Sequence, residues 1–217
     1  PAGPSRRWYD DACGTAHALE LVGERWSLLI LREMMFGPRR FGDIRAALPG
    51  LSANILTQRL ETLEAHGLVE RSKLAPPASV QVYGLTPWGY EADQLLMVLG
   101  HWAARSPGHD PTLPLSKTSL MLSFRTMFQA GVAGDADMTV GFQLGDERFR
   151  VRIAHGVLTP TRREIDDADV TFITTPGSRV TAPWPSRFRT SSPCRPGPEA
   201  DLRPACRAGC RSSCRRS

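Results

Sequence analysis

Nothing in the 217 residues approaches the ~20 consecutive apolar side chains that a membrane-crossing helix needs, so no membrane partner is expected. The opening PAGPSRRWYDDA has no apolar stretch of the kind a secretory signal carries, and the expected location is cytoplasmic. Cysteine is nearly missing over most of the chain. Cys13 stands alone in residues 1–175, the usage of a reducing compartment, whereas Cys194, Cys206, Cys210 and Cys214 crowd the last stretch. The histidines, His17, His66, His101, His109 and His155, are scattered without metal-ligand spacing, and no nucleophile motif or phosphate loop accompanies them. Neither an enzyme nor a cofactor is expected.

Positive charge is also missing where the formal total of +5 suggests it. Residues 176–217 hold nine Arg against Glu199 and Asp201, a net of +7, which leaves 18 basic and 20 acidic groups in residues 1–175. That body carries a net of −2, so an argument for nucleic acid has to rest on local geometry. A hydrophobic content of 41% suffices for packed cores, in one large domain or two small ones.

What is there centres on residues 51–67, LSANILTQRLETLEAHG. Leu56, Leu60 and Leu63 recur at i, i+4 and i+7 and predict one buried helical stripe. Ser52 occupies the N-cap place, where its hydroxyl can take an orphan backbone N–H, and Gly67 supplies the stop that a positive φ requires. The outward face carries Asn54, Thr57, Gln58 and Glu61, with Arg59 at its border. On its own such a segment reads first as an ordinary amphipathic surface helix, and its neighbours overturn that reading.

Residues 1–11 read as a flexible arm. A first helix is expected over 12–22 with Ala16, Leu19 and Val22 inward, and a second over 24–36, apolar almost all round and hence buried on several sides. Phe41, Ile44 and Leu48 predict a short helix before the Pro49-Gly50 turn, which makes a helix-turn-helix with the segment above. After Gly67 the period changes to two. LVERSKL and SVQVYGLT predict a hairpin across Ala75-Pro76-Pro77-Ala78, with Leu68 and Val69 entering the hydrophobic layer and Val80, Val82 and Leu85 in the return strand. A hairpin directly after a recognition helix is a wing. Thr86-Pro87 then starts a helix to about Ala104, with cap and N1 proline in order. Its Leu95, Leu96, Val98, Leu99 and Trp102 suit either its own core or a dimer seam.

Residues 13–102 resemble the HxlR-type helix-turn-helix family of bacterial transcription regulators, relatives of the MarR winged helices. The resemblance is carried by Cys13, by LELVGERWSLLILREMMFGPRRFGDIRAALPGLSANILTQRLETLEAHGLVER and by YGLTPWG. It implies a homodimer that binds double-stranded DNA at palindromic operators. Gly84 and Trp88 depart from the usual pattern of the family.

Residues 105–115 form a Pro/Gly linker. Over 116–130, Leu120, Met121, Phe124, Met127 and Phe128 fall at helical spacing. Four strand-like runs follow, with Phe149, Val151 and Ile153 opposite Arg148, Arg150 and Arg152, and with Val170 and Phe172 inward. A helix plus an antiparallel meander makes the whole chain α+β. This part, 116–175, resembles the sterol-carrier-like domain that some HxlR-type regulators carry, without the further helices that normally complete it. Residues 176–217 then turn to Arg, Pro, Ser and Cys, with Val180 and Leu202 the only branched aliphatics. Such a tail has no core. Its composition fits a shifted reading frame in a GC-rich gene or a disordered basic arm, whereas the spacing of Cys206, Cys210 and Cys214 matches no familiar metal site.

For reading DNA, Asn54 and Gln58 can pair with adenine, and Thr57 can meet a phosphate or a thymine methyl. Ser52 with the helix N-terminus can hold a phosphate. Arg59 finds no acid three or four residues away, since Ile55, Leu56, Thr62 and Leu63 stand there, and is expected on phosphate. Arg39 and Arg40, and Arg71, Lys73 and Gln81 in the wing, are further candidate contacts. Cys13 matches by position a cysteine that senses electrophiles or oxidants in several HxlR-type proteins, although a lone cysteine is also often a small hydrophobe. The alternative function is an apolar-ligand module on a dimerisation platform with weak DNA affinity, its pocket lined by Met121, Phe124, Met127 and Phe128. The effector expected is therefore a small apolar or electrophilic molecule.

Overall fold

Ser52, Thr86 and Ser116 each precede an apolar-periodic run. In the computed structural model, which describes residues 9–74 and 79–174, each caps a helix by accepting a backbone N–H three residues on. The first half runs α1 (Gly14–Val22), α2 (Ser27–Glu33), α3 (Phe41–Ala47), α4 (Ala53–Ala65), β1 (Val69–Lys73), β2 (Gln81–Leu85) and α5 (Pro87–Ala103). This is the winged helix-turn-helix order expected from the sequence. The second half runs α6 (Lys117–Met127), α7 (Ala130–Ala133), β3 (Met138–Leu144), β4 (Glu147–Ala154), β5 (Val157–Arg162) and β6 (Val170–Thr174). The tail cysteines and the arm of residues 1–8 lie outside the described residues.

The first core gathers Ile30, Leu31 and Met34 of the α2 region with Ile44, Leu56, Leu60, Leu63 and Val69, nearly all without solvent contact. The second gathers Leu120 and Met121 of α6 with Val140, Leu144, Phe149 and Val151. Helix α6 serves both, because Leu122 packs into the first core while Leu120 and Met121 face the second. Residues 105–115 are a loop, yet the two halves are not merely tethered. Arg125 of α6 makes a bidentate pair with Asp93 of α5 at 2.9 and 2.6 Å, and Arg162 donates to the Phe36 carbonyl at 3.0 Å.

Four expectations need correction. Helix α2 is only seven residues long, because residues 24–26 turn first and Trp26 takes a left-handed φ of 82°. The first helix buries no residue, and Leu19 is exposed. The helix expected over 116–130 ends at Met127, where Phe128 turns extended, and Ala130 opens a separate short helix, α7. The sheet is not a meander throughout: its order is β5-β4-β3-β6, and β6 crosses to the far side of β3 and pairs with it in parallel. Val170 and Phe172, expected inward, are exposed there, as is Ile173, and the Phe172 ring stacks on Phe142 of β3 at 5.3 Å. Alternation assigns residues to faces but cannot say which face is covered.

Candidate nucleic-acid interface

Helix α4 is fixed at both ends by its own sequence. The Ile55 amide donates to Ser52 Oγ at 3.3 Å. At the other end Gly67 takes φ 72°, the Leu68 amide donates to the Leu63 carbonyl at 2.9 Å and the Gly67 amide to Glu64 at 3.0 Å. That pair of bonds is a Schellman stop, and Leu68 then enters the core beside Leu63. With Leu56, Leu60 and Leu63 buried below, Asn54, Thr57, Gln58 and Glu61 stand exposed above. Thr57 turns its hydroxyl back to the Ala53 carbonyl at 3.1 Å, leaving its methyl and the amides of Asn54 and Gln58 as the outward groups.

The wing follows directly. Strands β1 and β2 pair antiparallel from Val69↔Leu85 to Lys73↔Gln81, and residues 75–78 at the tip are outside the described set. A third short segment joins them, since Arg39 and Tyr83 exchange both backbone bonds at 2.8 Å. Gly89 makes the closure with α5 possible, because a Cβ there would sit 2.1 Å from the Leu68 carbonyl oxygen.

The expected cations divide into two sets. Arg40 and Lys73 are exposed and make no ion pair among the described residues. Arg45, not among the residues expected above, stands exposed in the last turn of α3 in the same condition; its place off the Phe41/Ile44/Leu48 stripe was the available signal. Arg59, by contrast, pairs with Glu24 at 2.9 Å and donates to the Arg25 carbonyl at 3.1 Å. Its acid lies in the turn before α2, 35 positions away and beyond the reach of helical spacing. Arg39 is bidentate to Glu147 of β4 at 2.8 and 3.2 Å. Arg71 pairs with Glu64 at 2.9 Å and lies over the Tyr83 ring, and Gln81 donates to the Tyr83 hydroxyl at 3.0 Å. These cations brace the domain, and Arg39 and Arg59 leave the set of free phosphate contacts.

Arg39 belongs to a half-buried charge cluster beneath α3. Glu147 accepts from Arg39, from Arg162 at 3.0 Å and from Lys117 at 3.3 Å. Burial raises the Glu147 carboxyl, but the Arg39 hydrogen bonds and the Arg39, Arg162 and Lys117 charges outweigh it and hold the group below the ordinary glutamate range. Burial, and then the nearby Arg39 charge, lower the Arg162 guanidinium.

Cys13 is exposed at the N-terminus of α1. The Thr15 amide, then the Thr15 hydroxyl and the Ala16 amide, hold its thiol below the ordinary cysteine value. Met121 is fully buried, and Phe124 packs on Phe142 at 5.3 Å, so both are packing residues of the second core; Met127 and Phe128 are half-buried at the end of α6. No helix among the described residues is long and apolar enough to cross a membrane, and no cluster of His, Cys, Asp or Glu among them could hold a metal.

The HxlR-like helix-turn-helix family model matches residues 21–110. A helix-turn-helix transcriptional regulator of Synechocystis is 38% identical over 87 residues, which are 40% of this chain and 64% of that relative. The chain thus spans less than two thirds of that protein's length. The regulator YvaP of Bacillus subtilis is 37% identical over 87 residues, 40% of this chain and 80% of its own. The regulator YodB of B. subtilis is 35% identical over 86 residues, 40% of this chain and 77% of its own. A solved structure of reduced YodB superposes with a TM-score of 0.41 at 31% identity over 46% of this chain and all of that one, and YodB has also been solved with quinone bound.

Proposed function

This chain belongs to the HxlR-like helix-turn-helix family, and we propose that it is a sequence-specific DNA-binding regulator that works as a homodimer on a palindromic operator. The observation that carries the reading is α4, a helix capped at both ends whose outer face presents uncharged base-matching side chains beside a wing. Asn54 and Gln58 read adenine edges in the major groove, and the Thr57 methyl meets a thymine methyl. Arg40, Lys73 and the α4 N-terminus at Ser52 take phosphates, with Arg71 and Gln81 following from the wing once released from Glu64 and Tyr83. Leu19 of α1 and Leu95, Val98, Leu99 and Trp102 of α5 supply the exposed apolar surface for the dimer seam.

Cys13 is the candidate redox input: exposed, shifted toward thiolate, and borne by a chain with a quinone-binding relative. Residues 116–174, a helix on a four-stranded sheet, are in keeping with a sterol-carrier-like domain. Filling of the second core by Met121 and Phe124 argues against the pocket proposed there and for core packing.

Selection of bound fragments from random duplex DNA by the full chain tests the reading. An inverted repeat with half-sites one helical turn apart, bound cooperatively by two copies, is the expected product. Recovery of fragments with no shared sequence contradicts it.

A further inference from the structure

A cavity of about 630 Å³ is lined by residues of α2, α3, the start of α6 and the β3–β4 turn. Trp26, Leu29, Leu48 and Pro49 make the apolar part of its lining. Glu33 lines it with a side chain only 1% exposed. Its Oε1 accepts from Ser116 Oγ and from Arg32, both at 2.7 Å, while Oε2 is buried with no hydrogen-bond partner among the described residues. A carboxylate oxygen that has lost water and gained no donor is costly to keep. The other cations of the cavity are already engaged, Arg39 with Glu147 and Lys117 with Asp146 and Glu147. Counting Arg32, Arg39 and Lys117 against Glu33, Asp43, Asp146 and Glu147, the lining is negative by one.

The apolar wall carries a second mark. Trp26 holds φ 82°, a left-handed conformation strained for a bulky side chain, with the Arg25 guanidinium over its ring at 5.1 Å. Strain of this kind persists only where the surroundings fix it, and it clusters at ligand clamps.

We propose that this cavity binds a small organic cation, an amine or amidine on an apolar or aromatic body. On binding, the Glu33 carboxylate turns its unpartnered Oε2 from its buried position to accept the N–H of the ligand, whose body lies against Trp26, Leu29 and Leu48. A volume of about 630 Å³ suits such a molecule. Ala46, Ala47 and Pro49, which also line the cavity, belong to α3 and to the turn that sets α4. Occupancy therefore moves or stiffens the recognition helix, and this regulatory consequence rests on the DNA-reading function proposed above.

Titration calorimetry of the full chain with benzamidine, benzoate and benzyl alcohol, in the absence of DNA, tests the site independently of that function. Benzamidine is expected to bind saturably and at least tenfold more tightly than either isostere, and Glu33→Gln to weaken it at least tenfold. Ala47→Phe, which fills the cavity from a half-buried position, is expected to abolish binding in a protein that still melts cooperatively. Benzamidine binding no tighter than benzyl alcohol, or binding that survives Ala47→Phe, overturns the site. A severalfold change in affinity for selected DNA on adding benzamidine supports the regulatory role. Binding that leaves DNA affinity unchanged overturns that role, and failure to bind any DNA sequence removes the proposed function but not the calorimetric site.

Discussion

The outer face of α4 and the cleft beneath α3 treat polar groups in opposite ways. On α4, Asn54 and Gln58 are uncharged, exposed and without side-chain partners among the described residues. In the cleft, Arg39, Glu147 and Arg162 are largely withdrawn from water and depend on one another. Solvated groups can exchange water for a partner at little cost, whereas desolvated charges lose heavily when one member goes. Change on the first surface is therefore expected to alter recognition, and change on the second to alter stability.

The largest effect is expected at Glu147. Glu147→Ala leaves Arg39 and Arg162 without their anion and is expected to cost about 3 kcal/mol by denaturant unfolding. A loss below about 0.5 kcal/mol, the range of an ordinary surface substitution, would erase the contrast. The same cluster sets a pH dependence. The folded carboxyl titrates below its unfolded value, so its contribution is complete above the unfolded value and is lost as pH falls through the folded one. Acid melts of wild type and Glu147→Gln are expected to converge as that contribution disappears; a constant difference down to low pH contradicts the assignment.

Gln58→Ala is expected to show the reverse pattern. Unfolding free energy changes by less than about 0.5 kcal/mol, while discrimination at one base position falls by about 1–3 kcal/mol. Competition binding across single-base operator variants checks it, and unchanged discrimination removes Gln58 from the reading set. Arg59→Ala sharpens the boundary between the two regions. Its partner Glu24 is largely exposed, so the loss in stability is expected to stay below about 1 kcal/mol. Because Arg59 is engaged away from the outer face, the salt dependence of DNA binding should keep its slope, whereas Lys73→Ala should lower it by about one. The smallest structural effect is expected at Cys13→Ser, which is exposed and should leave the melting temperature unchanged. Quinone treatment should release DNA from wild type only; equal release from both proteins excludes Cys13 as the sensor.

Local chemistry made the winged helix legible. Ser52 and Gly67 bound α4, Thr86-Pro87 open α5, and the switch from period 3.6 to period two marks the wing, each signal acting on its own near neighbours in the chain. Long-range pairing was not legible. Arg59 meets Glu24 across 35 positions and Arg39 meets Glu147 across 108, and no helical spacing rule reaches that far. The parallel docking of β6 and the sharing of α6 between two cores have the same origin: each depends on which faces are covered after folding. Gly89 is intermediate. Its place early in a capped helix favours another residue type, and only the approach of the Leu68 carbonyl explains it.

The measurement that bears most directly on the outer face of α4 is DNA binding at several salt concentrations by the full chain and by a version ending at residue 174. Specific, cooperative binding that persists without the Arg-rich segment, and is lost selectively in Asn54→Ala with Gln58→Ala, is the predicted result. Tight binding that requires residues 175–217 and ignores sequence would contradict the account, because the affinity would then be the electrostatics of nine arginines.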